Sequence, residues 1–283
     1  MTAEIDDSSA PLIEHLIELR NRLMKSLLAF IVAMCIAFTV WQPLFNFLAV
    51  PLCNALIERG QECGLILVKV QEGFFVAIRI SVMGGLMLSF PYIANQLWRF
   101  VAPGLYKTEK NAFLPFLIAS PMMFFLGAVF AYYIVIPIAF AFFLDFQQLA
   151  GLPGAGQGTE GAVPSGDVGV VFQGSVAELL SLTTKFITAF GLCFQLPVLL
   201  TLMGKAGLVS SKALVDTRKY AILGIIVLAA VVTPPDMMSQ LILFAAIYPL
   251  YEISIILVRR TEKKRDEQLR AEGLLDPEDE DGA

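Results

Sequence analysis

A short segment near the start of the chain, EHLIELRNRL (14–23), carries the residues best suited to bind a cation. Glu14 and Glu18 are four residues apart, so an α-helix places both carboxylates on one side. Arg22 lies a further four residues along and can pair with Glu18 across one turn, in a contact worth about 0.2–0.5 kcal/mol. Carboxylates also accept two-point hydrogen bonds from guanidinium groups of other molecules. The segment therefore predicts either a local ion pair or a binding site for arginine.

A second set of polar side chains lies within or beside long apolar runs. Gln195 is near the middle of one run, and Thr233 and Gln240 flank the turn TPPD (233–236). Polar groups at membrane depth are costly unless they have partners. Hydrogen bonding between helices, at about 0.6 kcal/mol per contact, is one interpretation of these residues. Asp236 either caps the helix that follows the turn or has a functional role.

Catalytic and metal-binding patterns are missing from the sequence. The chain has one histidine, and it contains no glycine-rich phosphate loop, no metal-spaced His/Cys set and no GxSxG motif. An intramembrane enzyme needs a nucleophile with a base, or paired carboxylates, within its spans. The apolar runs offer neither. We therefore expect no enzyme activity, no cofactor and no metal.

The composition is that of an integral membrane protein. Hydrophobic residues make up 57% of the 283 positions, only 16% are charged, and the mean hydropathy is +0.72. The apolar runs predict an all-α protein with six transmembrane helices, because each spanning segment must satisfy its own backbone in lipid. The expected spans are 23–42, 74–98, 111–144, 182–204, 218–233 and 236–258. Three prolines in the third span predict a kinked, concave scaffold: Pro115, Pro121 and Pro137.

Lysine and arginine fix the expected orientation. Most of the 20 basic residues precede the first span, follow the sixth, or lie in the second-to-third and fourth-to-fifth connections. The positive-inside rule then places both termini in the cytoplasm. The fifth and sixth spans are expected to be short. Either Lys219 and Glu252 extend them by snorkelling, or the bilayer is thinned beside this hairpin.

The remaining segments are interpreted by composition. Residues 1–260 are predicted to form one membrane domain, with a mobile, glycine-rich outer loop at 145–178 and a charged, disordered tail at 261–283. A first outer loop, 42–72, is expected to start with a short helix after Pro51. Cys53 and Cys63 share this loop, and the spacing fits either a disulfide or two free thiols.

Four segments, in order, resemble the TatC family, the multispanning subunit of the twin-arginine protein translocase. They are PLIEHLIELRNRL (11–23), FPYIANQLWRFVAPGLYKTEK (90–110), FGLCFQLPV (190–198) and TPPDMMSQ (233–240). The resemblance covers about 11–260. It implies a receptor in the bacterial cytoplasmic (inner) membrane that binds signal peptides with paired arginines. It also implies single-span TatA-like and TatB-like partners, self-association within the complex, no nucleic acid, and export of folded proteins driven by the proton motive force.

The resemblance also implies roles for individual residues. Glu18 and Glu109 would form an acidic pocket for the signal peptide, with Arg20 and Phe100 in the same region. Gln195, Thr233 and Gln240 would form a polar patch that faces the single-span partners. Many relatives carry Glu where this chain has Gln195, so the chain keeps a hydrogen-bonding group there and lacks a titratable one. Pro51 and Asp236 are further candidates.

The alternative function is that of a small-molecule secondary transporter. Such a protein needs an ion or substrate site at the bilayer midplane and is usually built from internal repeats. No repeat relates the two halves of the chain, and the only strong polar residue at the midplane is the neutral Gln195. The residues therefore favour a receptor scaffold.

Overall fold

The computed structural model describes residues 9–60, 63–105, 114–149, 174–232 and 237–271, and it confirms an all-α membrane protein. Glu109, Thr233 and Asp236 lie outside these ranges. In chain order the elements are α1 (Ser9–Thr39), α2 (Trp41–Ile57), β1 (Leu65–Ile66), α3 (Glu72–Leu105), α4 (Leu114–Phe130), a π-helical turn (Ala131–Val135), α5 (Ile136–Leu149), β2 (Gly174–Ser175), α6 (Val176–Cys193), α7 (Leu196–Lys205), α8 (Ser211–Asp216), α9 (Arg218–Val232) and α10 (Met237–Ala271).

Within the described residues, five helical stretches are long and apolar enough to cross a membrane. They are Leu16–Thr39, Glu72–Phe100, Pro115–Phe146, Val176–Lys205 and Gln240–Glu267. The predicted fifth span corresponds to α9, whose 15 residues reach only about 22 Å at 1.5 Å per residue. It is therefore short of the roughly 30 Å hydrocarbon core, as the sequence predicts.

The sixth helix is not short, and this corrects the sequence-based expectation. Helix α10 has 35 residues and runs from Met237 to Ala271, through the first part of the tail predicted as disordered. Glu, Lys, Arg and Gln are good helix formers, and a helix that is already nucleated adds such residues at little cost. Glu262 also accepts a 2.8 Å hydrogen bond from the backbone N–H of Ser211. Residues 272–283 lie outside the described part.

The first loop also differs from its prediction. Helix α2 begins at Trp41 and contains Pro51 in its interior, so no separate helix starts after this proline. Of the predicted loop 145–178, the described parts are the end of α5 and the start of β2 and α6. Strands β1 and β2 pair in parallel, with Leu65 opposite Gly174, and join the two outer loops of the prediction.

The chain divides into two compact units, one comprising 1–117 and 129–188 and the other 118–128 and 189–283. In the first unit, α1 packs along α3. A Cβ at Gly85 would stand 2.8 Å from the Cα of Met34, so only glycine permits this separation. Small residues at this crossing, including the buried Ala33 and Ala37, let the two backbones approach closely.

In the second unit, α7, α8 and α9 all pack against α10. The segment 118–128 of α4 contacts the end of α6. A Cβ at Gly127 would lie 2.5 Å from the carbonyl oxygen of Phe190, so glycine is again required at a close contact.

Two of the long helices are interrupted near prolines. The π-helical turn Ala131–Val135 directly precedes Pro137, one of the predicted kink positions, whereas Pro121 lies inside α4. The predicted fourth span, 182–204, is broken between α6 and α7. This break is not predicted from the sequence. Pro197 explains the break, because it cannot donate to the carbonyl of Cys193 and its ring disfavours helical geometry.

Candidate functional site

The first candidate site lies where α1 begins and α3 ends. Arg22 donates to the same carboxylate oxygen of Glu18, Oε1, from Nη2 at 2.6 Å and from Nε at 2.9 Å. Its third nitrogen, Nη1, donates to Oε1 of Gln96 on α3 at 3.3 Å. The local ion pair that the sequence offers as one interpretation is therefore formed, and it links α1 to α3.

The same contact marks the register between the two helices. Helices α1 and α3 run in opposite directions. The residue one turn before Arg22 on α1 therefore lies at the same level as the residue one turn after Gln96 on α3. Glu18 and Phe100 stand at these positions, so the structure brings two of the predicted site residues to one end of the unit. Arg20 is exposed on α1, two residues after Glu18.

Glu18 is accessible, and exposed basic residues lie near it along α1 and towards the end of α3. Its side chain is 39% exposed, while that of Arg22 is 25% exposed. Arg20 and Lys25 on α1 and Arg99 on α3 are also exposed. The accessible carboxylate can pair with a guanidinium group from another molecule, whereas the basic residues repel such a group and limit the net attraction.

The other predicted members of this site have a different status. Helix α3 ends at Leu105, four positions before Glu109, which lies outside the described residues. The side chain of Glu14 also lies outside the described residues. Leu16, Leu19 and Leu23 are exposed along α1 at a spacing that forms an apolar stripe on one side of the helix.

The second candidate site centres on Gln195, the residue that precedes α7. Its Oε1 accepts a 2.7 Å hydrogen bond from the hydroxyl of Ser120, and its Nε2 donates to the backbone oxygen of Ser120 at 2.9 Å. Ser120 is buried and belongs to α4. The amide thus uses both its donor and its acceptor on one residue, at the point where the fourth span breaks. This is the interhelical hydrogen bonding that the residue types suggest.

Gln240 has a separate partner. Its Nε2 donates to the backbone oxygen of Ile226 at 3.1 Å, a contact between α10 and α9. Among the described residues, Gln195 and Gln240 therefore bind different elements and do not form one hydrogen-bonded group. The position of Thr233, the third member of the proposed patch, lies outside the described part.

A polar cluster lies at the start of α9. Glu252 accepts hydrogen bonds from Arg218 at 2.8 Å and from the hydroxyl of Tyr248 at 2.7 Å. Lys219 stands over the ring of Tyr220, 5.2 Å from its centroid. The sequence shows these residues but not the pairing, because Arg218 and Glu252 are on different helices.

The opposite end of the first unit is held together by covalent and ionic links. Cys53 and Cys63 form a disulfide between the end of α2 and the segment before β1. Arg59 donates to Asp145 at 2.6 Å and to the backbone oxygen of Ala55 at 2.8 Å. These contacts tie α2 and its following turn to α5.

Glu72 is the main residue that sequence reasoning misses. Its carboxylate is buried and accepts hydrogen bonds from the backbone N–H groups of Val68, Lys69 and Ala177 and from the hydroxyl of Ser175. Its position in the first turn of α3 suits an acidic residue. The two partners about a hundred positions away cannot be read from that signal.

The described residues contain no group of three or more His, Cys, Asp or Glu side chains that could hold a metal ion. What the geometry offers instead is an accessible carboxylate for cationic ligands and two separately paired amides inside the helical scaffold.

Comparisons with known proteins agree with the fold. The family model described as "Sec-independent protein translocase protein (TatC)" matches residues 14–245. The TatC protein of Magnetococcus marinus is 45% identical over 266 residues, which cover 94% of this chain and 90% of that protein. That of Desulforapulum autotrophicum is 39% identical and covers 92% of this chain and 88% of its own length.

A solved structure is also similar. The crystal structure of a twin arginine translocase receptor, TatC, matches with a TM-score of 0.74 and 35% identity, covering 87% of this chain and 99% of that chain. The small-molecule transporter alternative finds no support among these relatives. The match to the family model over most of the chain, the identity to curated relatives and the shared fold together show that this multi-pass membrane protein belongs to the TatC family of Sec-independent protein translocase proteins.

Proposed function

We propose that this chain is the receptor subunit of a twin-arginine protein translocase and that Glu18 binds an arginine of the signal peptide. The observation that carries the proposal is the contact between Glu18 and Arg22. A half-exposed carboxylate at the end of the α1–α3 pair already holds a guanidinium group at 2.6 Å. The site therefore has the chemistry and the space for the group that distinguishes twin-arginine signals.

Glu109 supplies the second carboxylate in this proposal. It follows α3, whose last turns stand at the same end of the unit as Glu18. Phe100 adds apolar surface at the level of Glu18, and Arg20 follows Glu18 by two residues on α1. Two carboxylates close together repel each other, so a ligand with two positive charges relieves an unfavourable state. A dicationic peptide is thus favoured over a singly charged one.

The membrane setting follows from the charge distribution. Most of the basic residues precede the first predicted span, follow the sixth, or lie in the second-to-third and fourth-to-fifth connections, which supports a cytoplasmic position for both termini and for the signal-peptide site. The membrane is then the bacterial cytoplasmic (inner) membrane. The receptor would meet folded precursor proteins on the cytoplasmic side, and the proton motive force would drive their export.

The partners in this proposal are single-span proteins of the TatA and TatB type, together with further copies of the chain. Gln195, Thr233 and Gln240 would face the partner helices. Exposed apolar side chains along α9, among them Leu223, Val227 and Val231, support a helix-binding surface near Gln240. The short α9 also suits a site where the bilayer is thinned.

Site-specific crosslinking tests the receptor function. A photo-reactive residue placed at position 17, exposed next to Glu18, should crosslink a twin-arginine signal peptide in native membranes. The same residue at position 57, exposed at the far end of α2, is the control and should not. Crosslinks that are equally strong from both positions, or absent from position 17, would contradict the proposal.

A further inference from the structure

We propose that Arg22 is an internal competitor that occupies Glu18 when no signal peptide is bound and so sets the affinity of the receptor. The inference rests on the proposed function and deepens it. In the empty site, the guanidinium of Arg22 takes the place that an arginine of the signal peptide would take. Binding is then an exchange of one guanidinium for another on the same carboxylate.

The geometry of the Glu18–Arg22 contact shows why the exchange favours the ligand. Both hydrogen bonds from Arg22 reach a single oxygen, Oε1. The strongest pairing of these two groups uses both carboxylate oxygens in two parallel hydrogen bonds. A peptide arginine that approaches from outside the helix is free to make that two-oxygen contact. Arg22, tied to the same helix four residues away, keeps the one-oxygen contact.

Gln96 provides the place to which Arg22 retreats. Its Oε1 already accepts a 3.3 Å hydrogen bond from Nη1 of Arg22. The Arg22 side chain is only 25% exposed. Gln96 on α3 can hold this side chain after its contact with Glu18 is broken. The displaced guanidinium therefore does not need to enter solvent as an unpaired group.

The competing contact is weak, so a signal peptide can displace it. Pairs of this spacing on exposed helices change an equilibrium by about two-fold. Removing Arg22 also removes a positive charge that repels the incoming arginines, and this adds to the gain. We therefore expect Arg22→Gln to tighten binding of a twin-arginine peptide by about two- to five-fold.

The pattern across peptides separates competition from other roles of Arg22. If every cationic ligand has to displace the same group, loss of that group raises all affinities by the same factor. Arg22→Gln should thus tighten an Arg-Arg peptide and a Lys-Lys peptide equally and leave their ratio unchanged. Because the variant site carries one positive charge fewer, the decline of affinity with salt should become steeper.

The test is a titration of labelled signal peptides onto the full chain in lipid nanodiscs. Lys25→Gln is the matched control, since it removes the same charge from an exposed position three residues along α1. It should change the dissociation constant by less than Arg22→Gln does. Arg22→Lys keeps the charge and should give a smaller gain than Arg22→Gln. In a Glu18→Gln background, Arg22→Gln should lose the gain that comes from competition and keep only an electrostatic gain no larger than that of Lys25→Gln.

The outcomes distinguish this inference from the proposed function. If Glu18→Gln alone leaves peptide binding unchanged, the proposed receptor site is wrong. Binding that depends on Glu18 but is unchanged or weakened by Arg22→Gln overturns the competitor role alone and makes Arg22 a support for Glu18. Thermal unfolding of each variant shows whether a loss of binding reflects a loss of structure.

Discussion

The hydroxyl of Tyr132 donates a 2.6 Å hydrogen bond to the backbone oxygen of Phe47, and the two rings stack with their centroids 4.3 Å apart. Phe47 lies four residues before Pro51, which has no N–H to donate to that carbonyl within α2. The tyrosine therefore supplies the hydrogen bond that the proline removes. This contact explains how a buried proline is accommodated in the interior of α2.

Replacing Tyr132 with Phe should destabilise the first unit, because the carbonyl of Phe47 would lose this donor. A buried acceptor left without a partner costs about 1–3 kcal/mol. The measurement is the midpoint of thermal unfolding in detergent. Tyr133→Phe is the control, since Tyr133 is 66% exposed, and it should have little effect.

A second substitution tests the mechanism. In a Pro51→Ala background the helix regains its own N–H donor, so Tyr132→Phe should cost less than it does in the wild type. An identical loss in the two backgrounds would show that Tyr132 acts through packing alone.

Substitution of Gln195 tests the role of the polar residues within the spans. Gln195→Leu should leave the hydroxyl of Ser120 without its acceptor and weaken assembly with a TatB-like partner, whereas Gln195→Glu should be tolerated because it retains a side-chain oxygen. Co-purification of the partner measures the first effect, and thermal unfolding of the isolated chain measures stability. Normal co-purification with a destabilised Leu variant would restrict Gln195 to its internal contact with Ser120.

The disulfide should be present in native membranes and should support stability without affecting recognition. Alkylation under denaturing, non-reducing conditions should label Cys35 and Cys193 only, since the other two of the four cysteines are joined. Closing so short a loop contributes about 2–3 kcal/mol, so Cys53→Ser should lower the unfolding midpoint. Cys35→Ala is the control and should not lower it comparably. Four alkylated thiols in the wild type would refute the bond, and loss of peptide binding in Cys53→Ser would contradict its separation from the arginine site.

The sequence predicts the membrane class and most spans, because a long run of apolar residues is seldom found outside a membrane-spanning helix. It does not predict the break before α7, since prolines such as Pro121 are also found inside unbroken helices. The helical start of the tail is missed because a charged run is compatible with both disorder and a helix extended from α10. Pairings such as Tyr132 with the Phe47 carbonyl depend on contacts between distant segments, and no local pattern encodes them.

For the arginine site, the segment EHLIELRNRL indicates the chemistry but leaves two interpretations open. The structure forms the local pair of Glu18 and Arg22 and also brings Phe100 to the level of Glu18. The register that does so comes from the packing of α1 along α3, and the hydrogen bond between Arg22 and Gln96, 74 positions apart, is one contact within it. Local pairing and ligand binding at Glu18 are thus compatible, which the sequence alone does not show.

Removal of the two carboxylates should have coupled effects. Glu18→Gln and Glu109→Gln should each weaken binding of an Arg-Arg peptide, and the double variant should differ from the sum of the two, because neighbouring charges influence each other. A Lys-Lys peptide should bind the wild type more weakly than an Arg-Arg peptide, since an ammonium group lacks the planar two-point contact. Strictly additive losses would indicate that the two carboxylates act at separate sites.

Paired carboxylates at the α1–α3 end are proposed to bind the paired arginines. The most direct test is to titrate a labelled Arg-Arg signal peptide onto the Glu109→Ala and Glu109→Lys variants. A charged hydrogen bond contributes roughly 1.5–3 kcal/mol at most, so Glu109→Ala should weaken binding by up to about 10- to 100-fold. Glu109→Lys should weaken it further, because the added charge repels both arginines. If Glu109→Lys binds the peptide as tightly as the wild type, the acidic pocket does not exist and the segment EHLIELRNRL serves only as a helix at the membrane surface.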